Sequence, residues 1–273
     1  MRQKKIPKGG GRWRTIWVPS RREREALRAL VPALDSTARR LDVHDVMHGF
    51  VAGRSPVTNA LVHRGRAYTL ALDLRDWFDS VRRDQLAPHV APDVLDRILV
   101  DGAPRQGLPT SPAAANIAAA ALDAQIVAAL AGRGVYTRYA DDLAISVDDE
   151  AVLRELADVV PRLVAAYGWE VHPRKTRLQA AAAGRRVITG VAVDDDGIFA
   201  PRAARRRLRA ARHQRRTAQA RGLAEWCLLR LPGAARLPGT ARRIAAASAA
   251  PAAPPPPSAA PVARRIIRPR PGG

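Results

Sequence analysis

Residues 68–74 constrain the fold of this chain more than any other segment. Their sequence, YTLALDL, is almost continuously apolar and is bounded by polar residues on both sides. A short apolar run of this kind is typical of a strand buried in the centre of a sheet. The strand carries one acid, Asp73, near its end. The sequence therefore predicts a buried strand that delivers a carboxylate to one end of a sheet.

A second pair of acids falls in the turn of a predicted hairpin. Residues 135–139 and 143–147 have strand-forming sequences, and Ala140-Asp141 fits the tight turn between them. If this hairpin lies beside the first strand, Asp73, Asp141 and Asp142 converge. The alternative is a solvated Asp-Asp turn and an Asp73 that caps a helix.

Converging carboxylates have a chemical use. Clustered like charges repel one another unless a cation binds, and hard oxygen ligands suit Mg²⁺. Two such ions, about 3.5 to 4 Å apart, would activate an attacking hydroxyl and stabilise a leaving oxygen in phosphoryl transfer. The three acids therefore predict a site for two Mg²⁺ ions.

Basic charge is concentrated in the last quarter of the chain. The 273 residues include 46 Lys or Arg against 25 Asp or Glu, a formal net charge of +21. Residues 201–273 contain 17 Arg, no Lys and one acid, Glu225. Because phosphates supply dense negative charge, nucleic acid is the expected partner rather than a membrane. We favour nucleic-acid binding for residues 202–221 and compositional bias for the extreme tail.

The sequence also indicates in which cellular compartment the protein is expected. Cys227 is the sole cysteine, which excludes an intramolecular disulfide and a cysteine-rich zinc site. No apolar run approaches the roughly 18 residues of a membrane span. The N-terminal sequence MRQKKIPKGGGR lacks the apolar segment of a signal peptide. We therefore expect a cytoplasmic protein with no membrane partner.

The remaining segments predict helices and strands around the sheet. Ser55-Pro56 fits the N-cap and first position of a short helix that runs through residues 59–63. Ser111 is predicted to cap an Ala-rich helix that ends at Leu130. The other predicted elements are a basic hairpin at 1–20, helices at 23–34, 84–100 and 148–167, strands at 187–193 and 198–200, a basic helical segment from 202, and a low-complexity tail at 248–273.

Four motifs, in order along the chain, resemble those of reverse transcriptases. Residues 139–142, YADD, resemble the Y-x-D-D box, and residues 70–78, LALDLRDWF, resemble the first palm motif, with Phe78 five residues after Asp73. Residues 105–116, RQGLPTSPAAAN, resemble the Q-G-x-P-x-S-P loop and helix. Residues 171–176, VHPRKT, resemble the next motif with its Lys175. The basic hairpin KGGGRWRTIWVP resembles the element that grips the nucleotide triphosphate, and Arg14 is its best match.

Two shorter motifs narrow the resemblance to bacterial retron reverse transcriptases. Residues 59–63, NALVH, fit N-A-x-x-H, and residues 188–190, ITG, stand where retron enzymes have V-T-G. The resemblance implies an α+β right-hand polymerase, with a ferredoxin-like palm, a short helical thumb and a disordered C-terminal tail. The implied regions are fingers at 1–66, palm at 67–200 with 84–105 partly in the fingers, thumb at 201–247 and tail at 248–273.

The resemblance also implies an activity and partners. The activity is RNA-directed DNA synthesis, with dNTPs as substrates and with template and primer RNA and nascent DNA as partners. The retron form implies a cognate structured non-coding RNA, a branched RNA–DNA product (msDNA), a role in phage defence and an effector protein as a further partner. The alternatives are a group II intron-like or diversity-generating reverse transcriptase, or a catalytically inactive RNA-binding relative. We favour the retron form over the intron form because the sequence ends before any maturase or endonuclease domain.

Individual roles follow from the same resemblance, each beside a structural alternative. Asp73 and Asp141 would hold the metal ions, and Asp142 would contribute less directly. Phe78 would exclude a ribose 2′-hydroxyl from the nucleotide site, or would simply be a core aromatic. The other residues implied at the dNTP are Arg14, Gln106, Gly107 and Lys175; those implied at RNA are Asn59, His63, Thr189, Gly190, Arg205, Arg206 and Arg209. Asn59 and His63 would instead satisfy each other within the fold, and Lys175 would protonate pyrophosphate or neutralise charge.

Overall fold

The computed structural model describes residues 1–9 and 11–227. The low-complexity tail predicted at 248–273 and the last part of the predicted thumb, 228–247, lie outside the described residues. The strands are β1 (Arg2–Gly9), β2 (Arg12–Val18), β3 (Tyr68–Asp73), β4 (Gly134–Tyr139), β5 (Asp142–Val147), β6 (Arg177–Ala180), β7 (Arg186–Ile188), β8 (Val191–Val193) and β9 (Ile198–Phe199). The helices are α1 (Arg21–Arg39), α2 (Pro56–Leu61), α3 (Trp77–Ser80), α4 (Arg83–Leu86), α5 (Pro92–Ile98), α6 (Ser111–Ala118), α7 (Ala120–Leu130), α8 (Glu150–Ala166), α9 (Arg202–His213) and α10 (Thr217–Cys227).

An antiparallel sheet with the strand order β4-β5-β3-β6 occupies the centre of the fold. The predicted buried strand, β3, pairs on one side with β5 and on the other with β6. In the β3–β5 register Asp73 lies opposite Asp142. The sequence prediction that the acid-bearing strand and the acid-bearing hairpin are neighbours is confirmed.

The main hydrophobic core lies on one face of this sheet. Leu70 and Leu72 of β3 and Ile145 of β5 are buried in it together with Leu156 and Val160 of α8. Successive side chains of a strand point to opposite faces, so β3 sends Thr69, Ala71 and Asp73 to the other side. Helix α8 begins where Asp149 accepts a hydrogen bond from the Ala151 N–H, as an N-cap does.

The second face of the sheet is covered by α2 and by a small sheet of order β7-β8-β9. A separate apolar cluster joins these parts, and it includes Ala60, Ala144, Ile188 and Val191. Helix α2 begins as predicted, because Ser55 forms a reciprocal capping box with Thr58 and Pro56 takes the first position. The second face is therefore built from small and polar residues and a short helix.

Two predicted elements are wrong in detail. Residues 187–193 were expected as one strand, but the chain reverses at Thr189-Gly190, where φ is +47° and +75°, and forms the β7–β8 hairpin. Both residues have the left-handed φ that a tight two-residue hairpin turn requires. Ser111 is the first residue of α6 rather than its N-cap, and its hydroxyl donates to the carbonyl of Arg105 at 2.7 Å.

The Ala-rich helix predicted to run to Leu130 is also divided into α6 and α7. The two helices are bent by 42° at their junction. Within the described part of the chain no single helix is long and apolar enough to cross a membrane, although this bent pair meets the same limits of length and composition when its helices are taken together.

Candidate active site

Three carboxylates meet at one end of the central strands. Asp73 ends β3, and Asp142 begins β5 directly after a turn in which Ala140 has φ +57°. Backbone hydrogen bonds hold this end of the sheet, from Leu74 N–H to Asp141 O at 2.9 Å and from His172 N–H to Asp73 O at 2.7 Å. A small pocket is lined by Asp73, Asp142, Lys175, Val187, Thr189 and Gly190, among others.

The three acids share more negative charge than their surroundings neutralise. Burial, together with the nearby carboxylates of Asp141 and Asp73, raises the pKa of Asp142 to about 7. Burial and the charge of Asp73 also raise the pKa of Asp141. The ammonium group of Lys175 lies 2.7 Å from both carboxylate oxygens of Asp73 and opposes these shifts. A bound cation would remove the remaining repulsion.

The chemistry of the donor set fits magnesium. Asp73, Asp141 and Asp142 offer only carboxylate oxygens, which are the ligands that Mg²⁺ prefers. Across residues 1–9 and 11–227, no three His, Cys, Asp or Glu side chains are already grouped as a metal site. In the structure the Lys175 ammonium, rather than a metal ion, lies beside both carboxylate oxygens of Asp73.

A buried ion pair, which the sequence analysis missed, supports the turn before Asp141. Arg138 and Asp123 are both wholly buried and are joined by hydrogen bonds of 2.8 to 3.1 Å. The Arg138 guanidinium also donates to the side-chain oxygen of Asn116 at 3.0 Å and to the carbonyl of Ala140 at 3.3 Å. An arginine near the end of a strand that is otherwise uncharged, GVYTRY, was the available signal.

Three of the predicted nucleotide residues, Phe78, Gln106 and Gly107, lie on α3 and in the loop before α6. Phe78 is half-buried on α3 and packs against the main core. The carbonyl of Gln106 accepts a hydrogen bond from the Trp17 N–H at 2.8 Å, which joins this loop to β2. Gly107 has φ +105°, and a Cβ there would collide with the Trp17 carbonyl. Glycine is therefore required where the loop meets the hairpin.

The basic hairpin of β1 and β2 reaches toward the same region. The pKa of Asp141 is raised by burial, and the positive charge of Lys8, near the hairpin tip, partly opposes that rise. Arg14 lies on β2 opposite Ile6 and is partly buried. Its Nε is buried and makes no hydrogen bond to the described part of the chain. The position of this hairpin is compatible with the predicted triphosphate contact, which remains a prediction.

The predicted RNA contact of Asn59 and His63 is corrected by the structure. Both side chains are wholly buried, so neither reaches a surface where RNA would bind. Asn59 donates to the Thr189 hydroxyl at 2.6 Å. The His63 ring nitrogens lie 2.8 Å from the Ser146 hydroxyl and 2.7 Å from the Thr137 hydroxyl. The alternative, that the two side chains satisfy each other, is also wrong, because each bonds to residues that are distant in the sequence.

The basic segment after residue 201 forms α9 as predicted. Ala204, Leu208 and Ala211 form its buried stripe. Arg205, Arg206 and Arg209 are exposed, as are the neighbouring arginines at 202, 207 and 212. A helix with an apolar stripe and a face of solvated guanidinium groups suits contact with a phosphate backbone.

Comparison with known proteins decides the family. A profile of the family described as "Reverse transcriptase (RNA-dependent DNA polymerase)" matches residues 6–187. The chain belongs to the reverse transcriptase family. Its predicted resemblance to retron enzymes is confirmed by two proteins from Myxococcus xanthus, the retron Mx162 reverse transcriptase, at 36% identity, and the retron Mx65 reverse transcriptase, at 37%. The retron Ec86 reverse transcriptase of Escherichia coli is 29% identical.

These matches cover only part of each protein. Each Myxococcus match covers 77% of this chain, and they cover 52% and 54% of the relatives, so the chain spans about half the length of those curated relatives. Among solved structures, a telomerase from Candida albicans with a fragment of telomeric RNA has a TM-score of 0.58. At 13% identity, over 73% of this chain and 45% of the telomerase chain, that similarity supports the reverse-transcriptase fold.

Proposed function

We propose that this chain is the polymerase core of a retron-type, RNA-directed DNA polymerase. The observation that carries the proposal is the placement of Asp73 opposite Asp142 with Asp141 in the adjoining turn. In the reaction the primer hydroxyl oxygen bonds to the α-phosphorus of a dNTP. The hydroxyl proton is lost, the bond from that phosphorus to the bridging oxygen breaks, and pyrophosphate departs with the electron pair.

Each part of the proposed site has a role in this reaction. Asp73, Asp141 and Asp142 would hold two Mg²⁺ ions, which stabilise the charge that develops on the phosphates. Lys175, which neutralises Asp73 in the structure, would neutralise the triphosphate once cations bind. Phe78 would select against the ribose 2′-hydroxyl, and Arg14, Gln106 and Gly107 would border the nucleotide from the hairpin side.

The fold supports an assignment of regions by analogy with a right hand. The β1–β2 hairpin and α1 would belong to the fingers, the central sheet with α7 and α8 to the palm, and α9 to the thumb. The pocket joins the carboxylates to the Thr189-Gly190 turn, so this turn would lie near the primer end. The exposed arginines of α9 would contact the phosphates of the template and primer.

The retron relatives support a finer proposal about substrate and setting. The template and primer would come from a cognate structured non-coding RNA, and the product would be branched RNA–DNA (msDNA). The enzyme would act in the cytoplasm in phage defence, together with an effector protein. The 37% identity to a retron enzyme supports this extension.

A primer-extension assay tests the polymerase proposal. The wild-type chain, supplied with Mg²⁺, an RNA template, a DNA primer and dNTPs, should extend the primer. Asp141→Asn should abolish extension, while its melting temperature stays unchanged or rises slightly, because burial and the nearby Asp73 make the ionised form of Asp141 costly.

The control is Asp158→Asn, an equivalent change of an exposed acid on α8. It should leave extension unchanged. Extension by Asp141→Asn at the wild-type rate, or loss of folding together with activity, would count against the site.

A further inference from the structure

Phe50 combines two features that oppose stability. Its side chain is 50% exposed, although it is large and apolar. Its backbone has φ +62°, a left-handed conformation that bulky side chains rarely adopt. A strained, exposed aromatic persists only where its surroundings fix it, and such residues cluster at ligand sites.

The surroundings of Phe50 fix it to the turn at Ala140-Asp141. The preceding residue, Gly49, packs so closely on this turn that a Cβ would collide with the backbone of Tyr139 and Ala140. The His48 N–H donates to the carbonyl of Arg138 at 2.7 Å. The Gly49 carbonyl accepts a hydrogen bond from the side chain of Asn116 at 2.9 Å. The position of the Phe50 backbone is therefore tied to the segment that carries Asp141.

The ring of Phe50 meets the ring of Phe78. The two ring centroids are 6.1 Å apart, with the planes inclined by 47°, a favourable aromatic geometry. Phe78 follows Asp73 on one segment, while Phe50 is tied to Asp141 on another. Two aromatic side chains from different parts of the sequence thus adjoin each other, one shortly after Asp73 and the other next to the residues that pack on the 138–140 segment, and Phe50 leaves half of its surface open.

We propose that Phe50 is a second aromatic contact for the nucleoside part of the incoming dNTP and that it determines sugar selection jointly with Phe78. This inference rests on the proposed function. An aromatic that only filled the core would be buried, whereas Phe50 is exposed on a strained backbone that the buried Asn116 and Arg138 hold in place. Phe50 would support the Phe78 ring from the side and extend the apolar surface on which the nucleoside lies.

The test measures steady-state primer extension with dNTPs and rNTPs for four variants. Phe50→Ala should raise the KM for dNTP by roughly fivefold to tenfold, the size of one lost aromatic contact. It should lower the dNTP-to-rNTP preference and leave the Kd for template-primer unchanged. Phe50→Asn should do the same with the loop intact, because asparagine tolerates a positive φ. The other two variants are Phe78→Ala and the double variant that combines it with Phe50→Ala. Together with Phe50→Ala they complete a double-mutant cycle, in which the two effects on sugar preference should be non-additive.

A control variant and three contrary results distinguish failure of this inference from failure of the proposed function. Val127→Ala removes an exposed apolar side chain on α7 and should change none of these constants. If the wild-type chain extends primers but Phe50→Asn keeps the wild-type dNTP KM and sugar preference, the inference is overturned. A weakened template-primer Kd with an unchanged dNTP KM also overturns it, because the contact is then with the template. If the wild-type chain neither extends primers nor binds the next dNTP, the proposed function fails, and this inference fails with it.

Discussion

His63 is a neutral base enclosed by hydroxyl groups on the second face of the central sheet. Both of its ring nitrogens are engaged, with Ser146 at 2.8 Å and Thr137 at 2.7 Å. Burial and the nearby positive charge of Arg186 lower the pKa of His63 to about 3. Arg186 itself is buried and donates to the His63 carbonyl at 2.9 Å. A proton on this ring would therefore place a second positive charge in the interior and remove an acceptor.

The stability of the fold should consequently depend on pH through His63. The folded chain binds this proton with a pKa near 3, and the unfolded chain binds it near the ordinary value of 6.5. The neutral His63 ring contributes fully to the free energy of unfolding above pH 6.5. This contribution is lost as the pH falls toward 3, by at most about 1.4 kcal/mol per pH unit. Urea unfolding of wild type and His63→Gln between pH 7.5 and 5 checks this.

The glutamine variant should be less stable at pH 7.5, because its amide does not reproduce both hydrogen bonds. The difference in unfolding free energy between the two proteins should shrink as the pH falls. A difference that stays constant over this range would contradict the assigned pKa of His63.

At the scale of elements, the Arg138–Asp123 pair links β4 to α7 and both to the turn at Ala140-Asp141. The pair is wholly buried, and Arg138 also reaches Asn116 and the Ala140 carbonyl. Removing one partner of such a pair leaves an unpaired buried charge, whereas replacing both with apolar groups is often nearly neutral. The effect of this pair on the stability of the fold can therefore be measured separately from its effect on the position of the turn.

Arg138→Met should lower the free energy of unfolding by about 3 to 5 kcal/mol. The double replacement Arg138→Met with Asp123→Leu should recover much of that loss but should keep primer extension well below wild type, because nothing then holds the Ala140 carbonyl. Thermal melts and extension rates measure the two effects.

The exposed pair of Arg154 with Glu150 supplies the control for this experiment. Arg154→Met should cost less than about 1 kcal/mol and leave extension intact. Full recovery of extension in the buried double variant would show that the ion pair serves stability alone.

Local sequence signals predicted the elements but not their distant contacts. The apolar run of β3 and the hairpin turn at Asp141 followed from patterns within a few residues, and so did the cap at Ser55. The β7–β8 hairpin was missed because Thr189-Gly190 is not one of the usual two-residue turn pairs, such as Asn-Gly or Asp-Gly, and lies within an otherwise apolar run. The bend between α6 and α7 carries neither glycine nor proline as a signal.

In the candidate site, too, local sequence signals predicted some features, whereas features that depend on distant contacts were not predicted. The positions of the three acids followed from the strands that bear them. The burial of Asn59 and His63 did not, because it depends on Thr189 and Ser146, which are 130 and 83 residues away along the chain. The role proposed for Phe50 likewise depends on packing between segments that no local pattern connects.

On the scale of the whole molecule, opposite charges are separated. The three proposed catalytic acids lie at one end of the central strands, whereas α9 presents exposed arginines. The net charge of +21 gives the chain a general attraction to polyanions. Only arginines that contact the duplex backbone should contribute to the salt dependence of template binding.

Replacing Arg205, Arg206 and Arg209 with alanine should weaken template-primer binding and make its dependence on salt shallower. The slope of log K against log salt should lose roughly one for each phosphate contact removed, so up to about three in total. Binding titrations from 50 to 300 mM salt measure it.

A control with the same change of charge replaces Arg133, Arg154 and Arg162, of which Arg133 and Arg154 pair with acids on α8. It should leave the slope almost unchanged. Equal slopes for the two triple variants would show that net charge alone, and not α9, sets the affinity.

The sheet order has a consequence for synthesis on the ribosome. Strand β3 ends at Asp73 and occupies an interior position, yet its first partner strand to be made, β5, begins only at Asp142. At about 5 to 20 residues per second, the apolar strand emerges several seconds before it can be covered. Pairing over such a separation is also slow, since the loop must close first. Newly made chains should therefore bind holdase chaperones through residues 68–74, and soluble yield should improve when translation is fast relative to aggregation or when such chaperones are supplied.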